Sequence, residues 1–161
     1  MADQSKYDAL RGSKLAAELT DAQCRALAEV VTLRDLREGE VLVGEGTTDN
    51  HLYVIVKGVL GVIKGNGTPD ATTLHTLATG DFADELGFLD GTVYYASKVA
   101  LAETRVLGVE REKLESLLTS QPEIVYKVMR AIVRTVHQIQ RRLSMQSVEL
   151  TNYIYKQHGR Y

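Results

Sequence analysis

A single cysteine, Cys24, occurs in the 161 residues. That excludes an internal disulfide, a cysteine-rich metal knot and a four-cysteine iron–sulfur site. No apolar run approaches the roughly 18 residues that a membrane-spanning helix needs. The stretch Met1 to Lys14 is polar and is not read as a signal peptide. An excess of positive charge is also missing: 19 Lys and Arg against 21 Asp and Glu leave a net charge of −2. Without a global basic field the chain has no general attraction for nucleic acid. Repeats and low-complexity tracts are absent, and no domain boundary is visible. The length suits one domain with a real core. These features predict a single cytoplasmic domain that neither spans a membrane nor binds nucleic acid.

What is present falls into three zones. Residues 1–12 read as a flexible arm, and residues 13–160 as one domain. Within 13–31, Leu15, Leu19, Leu27, Val30 and Val31 recur at helical spacing, and Thr20 with Gln23 reads as a capping box. Across 32–110, short β-rich runs alternate with glycine turns. The runs are Glu40–Val43, Leu52–Val56, Val59–Ile63, Thr72–Leu77, Ser97–Leu101 and Thr104–Val109. Such even spacing argues for a sandwich, barrel or roll. Asn66-Gly67 reaches positive φ cheaply and marks a hairpin tip.

Helical character returns at 111–119. A long helix follows over 120–157, with Ser120 read as its N-cap, Pro122 in its first turn and Glu123 closing a capping box. About 35 residues then pass without proline or glycine, about 50 Å if fully helical. Val125, Met129, Ile132, Val136, Ile139, Leu143, Gln146, Leu150 and Tyr153 alternate in steps of four and three, which makes a heptad seam. The first turns are expected to pack on the chain's own β domain. The rest overhangs it, so a second copy of the helix is the expected cover, with Gln146 setting register. Arg130, Arg134, Arg141 and Arg142 read as a solvated basic face.

The order of helix, glycine-punctuated strands, short helical turn, two strands and long helix resembles the cyclic nucleotide-binding domain. This is the sensor domain of the catabolite activator protein family and of the regulatory subunits of cyclic-AMP-dependent protein kinase. The motifs that carry the resemblance are Leu36-Arg37-Glu38-Gly39-Glu40-Val41-Leu42, Gly44-Glu45-Gly46, and Leu52-Tyr53-Val54-Ile55-Val56-Lys57-Gly58. They continue with Leu77-Ala78-Thr79-Gly80-Asp81-Phe82 and Asp84-Glu85-Leu86-Gly87-Phe88-Leu89. The resemblance implies a mainly β fold with α: a jelly-roll-like β-roll (double-stranded β-helix) between N-terminal helices and a long C-terminal dimerisation helix. It also implies a regulatory binding module rather than an enzyme.

In the family, a cyclic phosphate sits on backbone N–H groups at the start of a short helix, where donors are unsatisfied. A glycine admits the phosphate, a glutamate takes the ribose hydroxyl, and an arginine pairs with the phosphate. Here Glu85 matches the glutamate, and Ala96 and Ser97 match the small residues after the arginine. Asp84 stands at the glycine position and Tyr94 at the arginine position. No arginine occurs between Arg37 and Arg105. Leaving a buried phosphate without its cation costs about 3–5 kcal/mol. A carboxylate ~4–5 Å away adds repulsion of about 3–4 kcal/mol at an effective dielectric near 20. The Asp84 carboxylate is also expected to accept the helix-start N–H groups itself.

The expected pocket is therefore Asp84, Glu85, Leu86, Gly87, Tyr94, Tyr95, Ala96, Ser97 and Lys98. Lys98 is the candidate replacement for the arginine, although strand alternation favours a solvent-facing lysine and packing tyrosines. No cofactor is expected, and a cyclic nucleotide is disfavoured. The expected partners are a second copy of the chain, through Met129, Ile132, Val136, Ile139, Leu143, Gln146, Leu150 and Tyr153, and a protein partner. The alternatives are a true cyclic-nucleotide binder with Lys98 or a backbone nest at the phosphate, and a metal-dependent enzyme on a cupin-like roll. His51, His75, His137 and His158 are scattered without a His-x-His pair, which disfavours a metal site. About 20 residues follow Gln140, too few for a DNA-reading domain of the family's usual kind.

Overall fold

The structure, a computed structural model, describes residues 2–158. The chain opens with α1 (Ala2–Arg11), a 3₁₀ turn at Lys14–Ala16 and α2 (Asp21–Ala28). The reading of 1–12 as a flexible arm is corrected over residues 2–11, which form α1. That helix has little apolar surface of its own and is held by tertiary contacts. Leu10 is fully buried beside Leu15 and Leu27, and the Arg25 guanidinium lies 4.6 Å from the centre of the Tyr7 ring. The start of α2 is as expected: Thr20 Oγ1 accepts from Gln23 N–H, and the Gln23 side chain accepts from Thr20 N–H.

Eight antiparallel strands follow: β1 (Val31–Leu36), β2 (Val41–Val43), β3 (His51–Lys57), β4 (Val59–Lys64), β5 (Thr72–Ala78), β6 (Phe82–Ala83), β7 (Ser97–Ala100) and β8 (Thr104–Glu110). They form two sheets, in the orders β1-β8-β3-β6 and β2-β7-β4-β5. This is the expected jelly-roll-like roll. Two strands beyond the sequence reading are β1, whose exposed Arg34 and Asp35 break the apolar pattern, and the two-residue β6. Asn66-Gly67 sits in the turn between β4 and β5, where Gly65 and Gly67 take positive φ. Gly58 shows what its corner demands: at φ 103° a Cβ would lie 2.6 Å from the Glu103 carbonyl oxygen. No side chain fits there.

The roll buries apolar side chains on both sides of its first sheet. Leu52, Val54, Leu107 and Val109 face the helices, while Tyr53, Ile55 and Val106 face the interior. The alternation follows the period of two along each strand. Inside the roll they meet Leu60, Ala83, Tyr94 and Ala100. Between β6 and β7 lies α3 (Glu85–Asp90), which later positions the candidate site.

After α4 (Arg111–Glu115), α5 runs from Pro122 to His158. Gln121, rather than Ser120, immediately precedes its first residue. Ile124, Val125, Val128 and Ile132 are buried against the helical layer. From Ile139 onward the stripe is largely exposed, Leu143 by 58% and Leu150 by 61%. The basic strip is only partly a free face: Arg134 Nη1 and Arg130 Nε lie 2.9 and 3.4 Å from the Glu18 carboxylate. Among the described residues, no helix is long and apolar enough to cross a membrane.

Candidate functional site

The site forms where β6 breaks into α3. Asp84 takes left-handed backbone angles, φ 70° and ψ 29°, the only positive φ at a non-glycine residue among those described. L-residues enter this region at a cost of about 1–2 kcal/mol, least for Asn and Asp. The backbone here keeps a conformation that suits glycine while an aspartate occupies it.

The expectation that the Asp84 carboxylate caps α3 is corrected, because it makes no cap hydrogen bond. Instead Oδ1 lies 2.8 Å from Lys98 Nζ, with the two side chains 0% and 8% exposed. The contact is an ion pair, and neither Asp84 carboxylate oxygen has a hydrogen-bond partner among the described residues. Burial pushes the Asp84 carboxyl above the usual carboxylate range, and the Lys98 charge opposes that rise without cancelling it.

The favoured solvent-facing Lys98 is likewise corrected. In register, Lys98 stands opposite Val62 on β4, and Ala100 stands opposite Leu60. Directly opposed residues share a face of the sheet. Val62 and Leu60 are buried, so Lys98 points inward with them. Alternation counted along β7 alone misleads, since all four of its residues are buried. Ser97, on the other face, is engaged elsewhere: its Oγ accepts from Glu45 N–H at 2.9 Å.

The tyrosines frame the lysine. Nζ lies 5.1 Å from the Tyr94 ring centre and 5.3 Å from that of Tyr95, within reach of a cation–π attraction. Tyr94 is buried in the inner core, as the packing reading expected, and its hydroxyl donates to the Asp49 carbonyl oxygen at 3.2 Å. Burial, then the charges of Asp84 and Asp49, push that hydroxyl well above the ordinary tyrosine value. Gly87 makes room for the ring, since a Cβ there would fall 2.8 Å from Tyr94 Cε1. Tyr95 stands at the rim, 55% exposed.

Behind Tyr94, Asp49 accepts from Tyr53 Oη at 2.8 Å and contacts His51 Nδ1 at 2.6 Å. Burial pushes the Asp49 carboxyl up, but the His51 and Tyr53 contacts, with a backbone hydrogen bond from Asn50, together hold it below the usual range.

A cavity of about 510 Å³ opens in front of the pair. Of the expected residues, Asp84, Glu85, Gly87, Tyr94, Tyr95 and Lys98 line it. Ala96 and Ser97 are buried but do not, and the Leu86 side chain lies outside the described residues. Val62, His75, Leu77 and Phe82 join the wall without having been read as site residues. So do Ile139 and Leu143 of α5, read only as seam positions. Glu85 is among the residues that line the cavity, and its side chain has no ion pair or hydrogen bond to another described residue. Among the described residues there is no cluster of three or more His, Cys, Asp or Glu that could hold a metal ion.

Comparison with known proteins adds a lineage to this geometry. A family model described as the cyclic nucleotide-binding domain matches residues 33–121. A CRP-like cAMP-activated global transcriptional regulator from Mycobacterium tuberculosis is 25% identical over 121 residues, 74% of this chain and 53% of the regulator. The match thus spans about half the length of that curated relative. A cyclic nucleotide-binding domain from Methylobacillus flagellatus superposes with a TM-score of 0.76 at 22% identity, covering 88% of this chain and 81% of that one. A mutant regulatory subunit of a cAMP-independent protein kinase A from Trypanosoma brucei, bound to cAMP in its A site, gives a TM-score of 0.69 at 18% identity. That superposition covers 91% of this chain and 52% of the subunit, and one of the mutations introduces an arginine. With the matched residues making up more than half of its length, the chain belongs to the cyclic nucleotide-binding domain family.

Proposed function

We propose that this protein is a dimeric, non-enzymatic regulatory module in which a buried ion pair has replaced the phosphate cassette. Cyclic AMP and cyclic GMP then do not bind in the family's usual mode, and the signal passes through a protein partner or a different ligand. One observation carries the reading: the 2.8 Å contact between Lys98 and Asp84 at the start of α3. The cation in the cavity is already spent on an internal carboxylate. A phosphate would have to break that pair and sit beside a buried negative charge, a penalty of several kcal/mol. The Trypanosoma brucei subunit, called cAMP-independent and bound to cAMP as a mutant that gains an arginine, is a parallel within the same fold.

Dimerisation rests on α5. Leu143, Leu150 and Tyr153 form a largely exposed apolar stripe, and a second α5 in parallel would bury it. Sedimentation of the wild type and of Leu150→Asp tests this. A dimer that becomes a monomer supports the module; a monomeric wild type removes dimerisation from it.

The cassette is tested by restoring it. Asp84→Gly with Tyr94→Arg removes the repulsive carboxylate, frees Lys98 and adds the guanidinium. Calorimetry with cyclic AMP should show binding that the wild type lacks. Equal binding by both forms would contradict the proposal.

A second reading, true cyclic-nucleotide binding through Lys98, is favoured by the inward position of that lysine and the unpaired Glu85. Burial raises the Asp84 carboxyl, so acidification neutralises it and releases Lys98. Under this reading, affinity for cyclic AMP rises as the pH falls.

A further inference from the structure

Resting on the proposal that the pair excludes cyclic nucleotides, we infer that the cavity takes an uncharged, largely apolar small molecule. The pair withdraws its charges from any occupant. Lys98 is the only Lys or Arg on the wall; its side chain is 8% exposed, and it is held by Asp84. The Asp84 side chain is 0% exposed, so its oxygens are sealed from the cavity. An anion entering here gives up its hydration without gaining a free cation, and the wall already carries Glu85. A cation gives up its hydration without reaching the Asp84 carboxylate. A neutral apolar body has little hydration to lose and gains by leaving water.

What the cavity does present is apolar. Leu77 and buried Phe82 belong to its wall, together with Val93, Tyr95, Ile139 and Leu143, each of which is 40% exposed or more. Those four come from two segments distant in sequence, the loop before β7 and the helix α5. Large apolar side chains left in water around one concavity mark a binding place, and an occupant that covers them leaves no charge unpaired. About 510 Å³ is within the range of cavities that hold small organic molecules. Because Ile139 and Leu143 belong to α5, the ligand would touch the helix that carries the exposed seam.

Three probes with one ring system and different heads test the charge rule: the alcohol naphthylethanol, the amine naphthylethylamine and the acid naphthylacetate. Calorimetry of the full chain would be run with each, and with cyclic AMP. The alcohol should bind once per chain, and the amine and the acid each at least about tenfold more weakly. Variants then locate the probe. Val93→Asp, a charge at the exposed mouth, should weaken the alcohol at least about fivefold. Should that variant fail to fold, Tyr95→Asp at the rim should do the same. Leu74→Asp, exposed but off the cavity wall, and Leu150→Asp, on the helix seam, should leave it unchanged. The inference is overturned if either charged probe binds as tightly as the alcohol, or if none of the three binds. It is also overturned if Leu150→Asp abolishes binding while the mouth variants do not, which puts the probe on the seam. Cyclic AMP keeps the two ideas apart. Its tight binding to the wild type would defeat the displaced cassette, whereas silence from it and from the alcohol together would defeat the neutral ligand alone.

Discussion

Two lysine–carboxylate pairs join neighbouring parts of the roll, and they behave in opposite ways. Lys64 Nζ lies 2.5 Å from Glu45 at an open corner, with both side chains partly exposed. Lys98 lies 2.8 Å from Asp84 inside the cavity, both almost fully buried. At the corner, the bonds from Lys64 and from Gly65 N–H hold the Glu45 carboxyl below its usual range. In the cavity, burial outweighs the lysine and pushes the Asp84 carboxyl up. Geometry alone does not set the outcome. The corner pair is a solvated clasp, and the inner pair is a desolvated dipole with unspent acceptors.

The largest expected difference is in stability. Lys98→Met leaves the buried carboxylate uncompensated and should lower the unfolding free energy by about 3–5 kcal/mol in urea titration. Removing both charges, with Asp84→Gly and Lys98→Met together, should restore most of it. A double variant as unstable as the single one would break the comparison. Next, Gly87→Ala should cost about 1–3 kcal/mol by driving a methyl group into the Tyr94 ring, and should disturb the cavity with no charge removed. The smallest effect belongs to the corner. Lys64→Met should change stability by about 0–1 kcal/mol, an effect that fades in high salt.

The pH dependence sharpens the contrast through its sign. A carboxyl raised on folding binds its proton more tightly in the native state, so its contribution favours the fold in acid and is lost as the pH rises through the native value. A carboxyl lowered on folding favours the fold above its unfolded value, near 4.3 for glutamate, and loses that contribution as the pH falls. Unfolding curves of Asp84→Asn and Glu45→Gln, each subtracted from the wild type between about pH 3 and pH 7, should therefore slope in opposite directions.

Much of the roll was legible before its structure because glycine turns and alternating strands are local signals. The capping box at Thr20 was legible for the same reason. Features that depend on distant contacts were not. The α1 helix shows too little apolar periodicity to declare itself, and it is fixed by burying Leu10. At the site, Asp84 and Tyr94 were visible as departures from a pattern, yet their actual partner was not. Alternation along β7 suggested an outward Lys98, while the cross-strand position opposite Val62 turns it inward. A charge argument pointed to it: Lys98 is the only Lys or Arg between Lys64 and Arg105, so it was the nearest cation in sequence for a buried Asp84. Ile139 and Leu143 carried a seam signal that concealed a second place, on the cavity wall.

The central claim is that Lys98 is already occupied by Asp84, so the cavity has no free cation for a cyclic phosphate. Calorimetric titration of the wild-type chain with cyclic AMP at neutral pH tests this most directly. The account predicts no binding tighter than about millimolar, given about 1.4 kcal/mol per decade and a penalty of several kcal/mol. A micromolar constant that is lost in Lys98→Met would contradict it and assign the lysine to the phosphate.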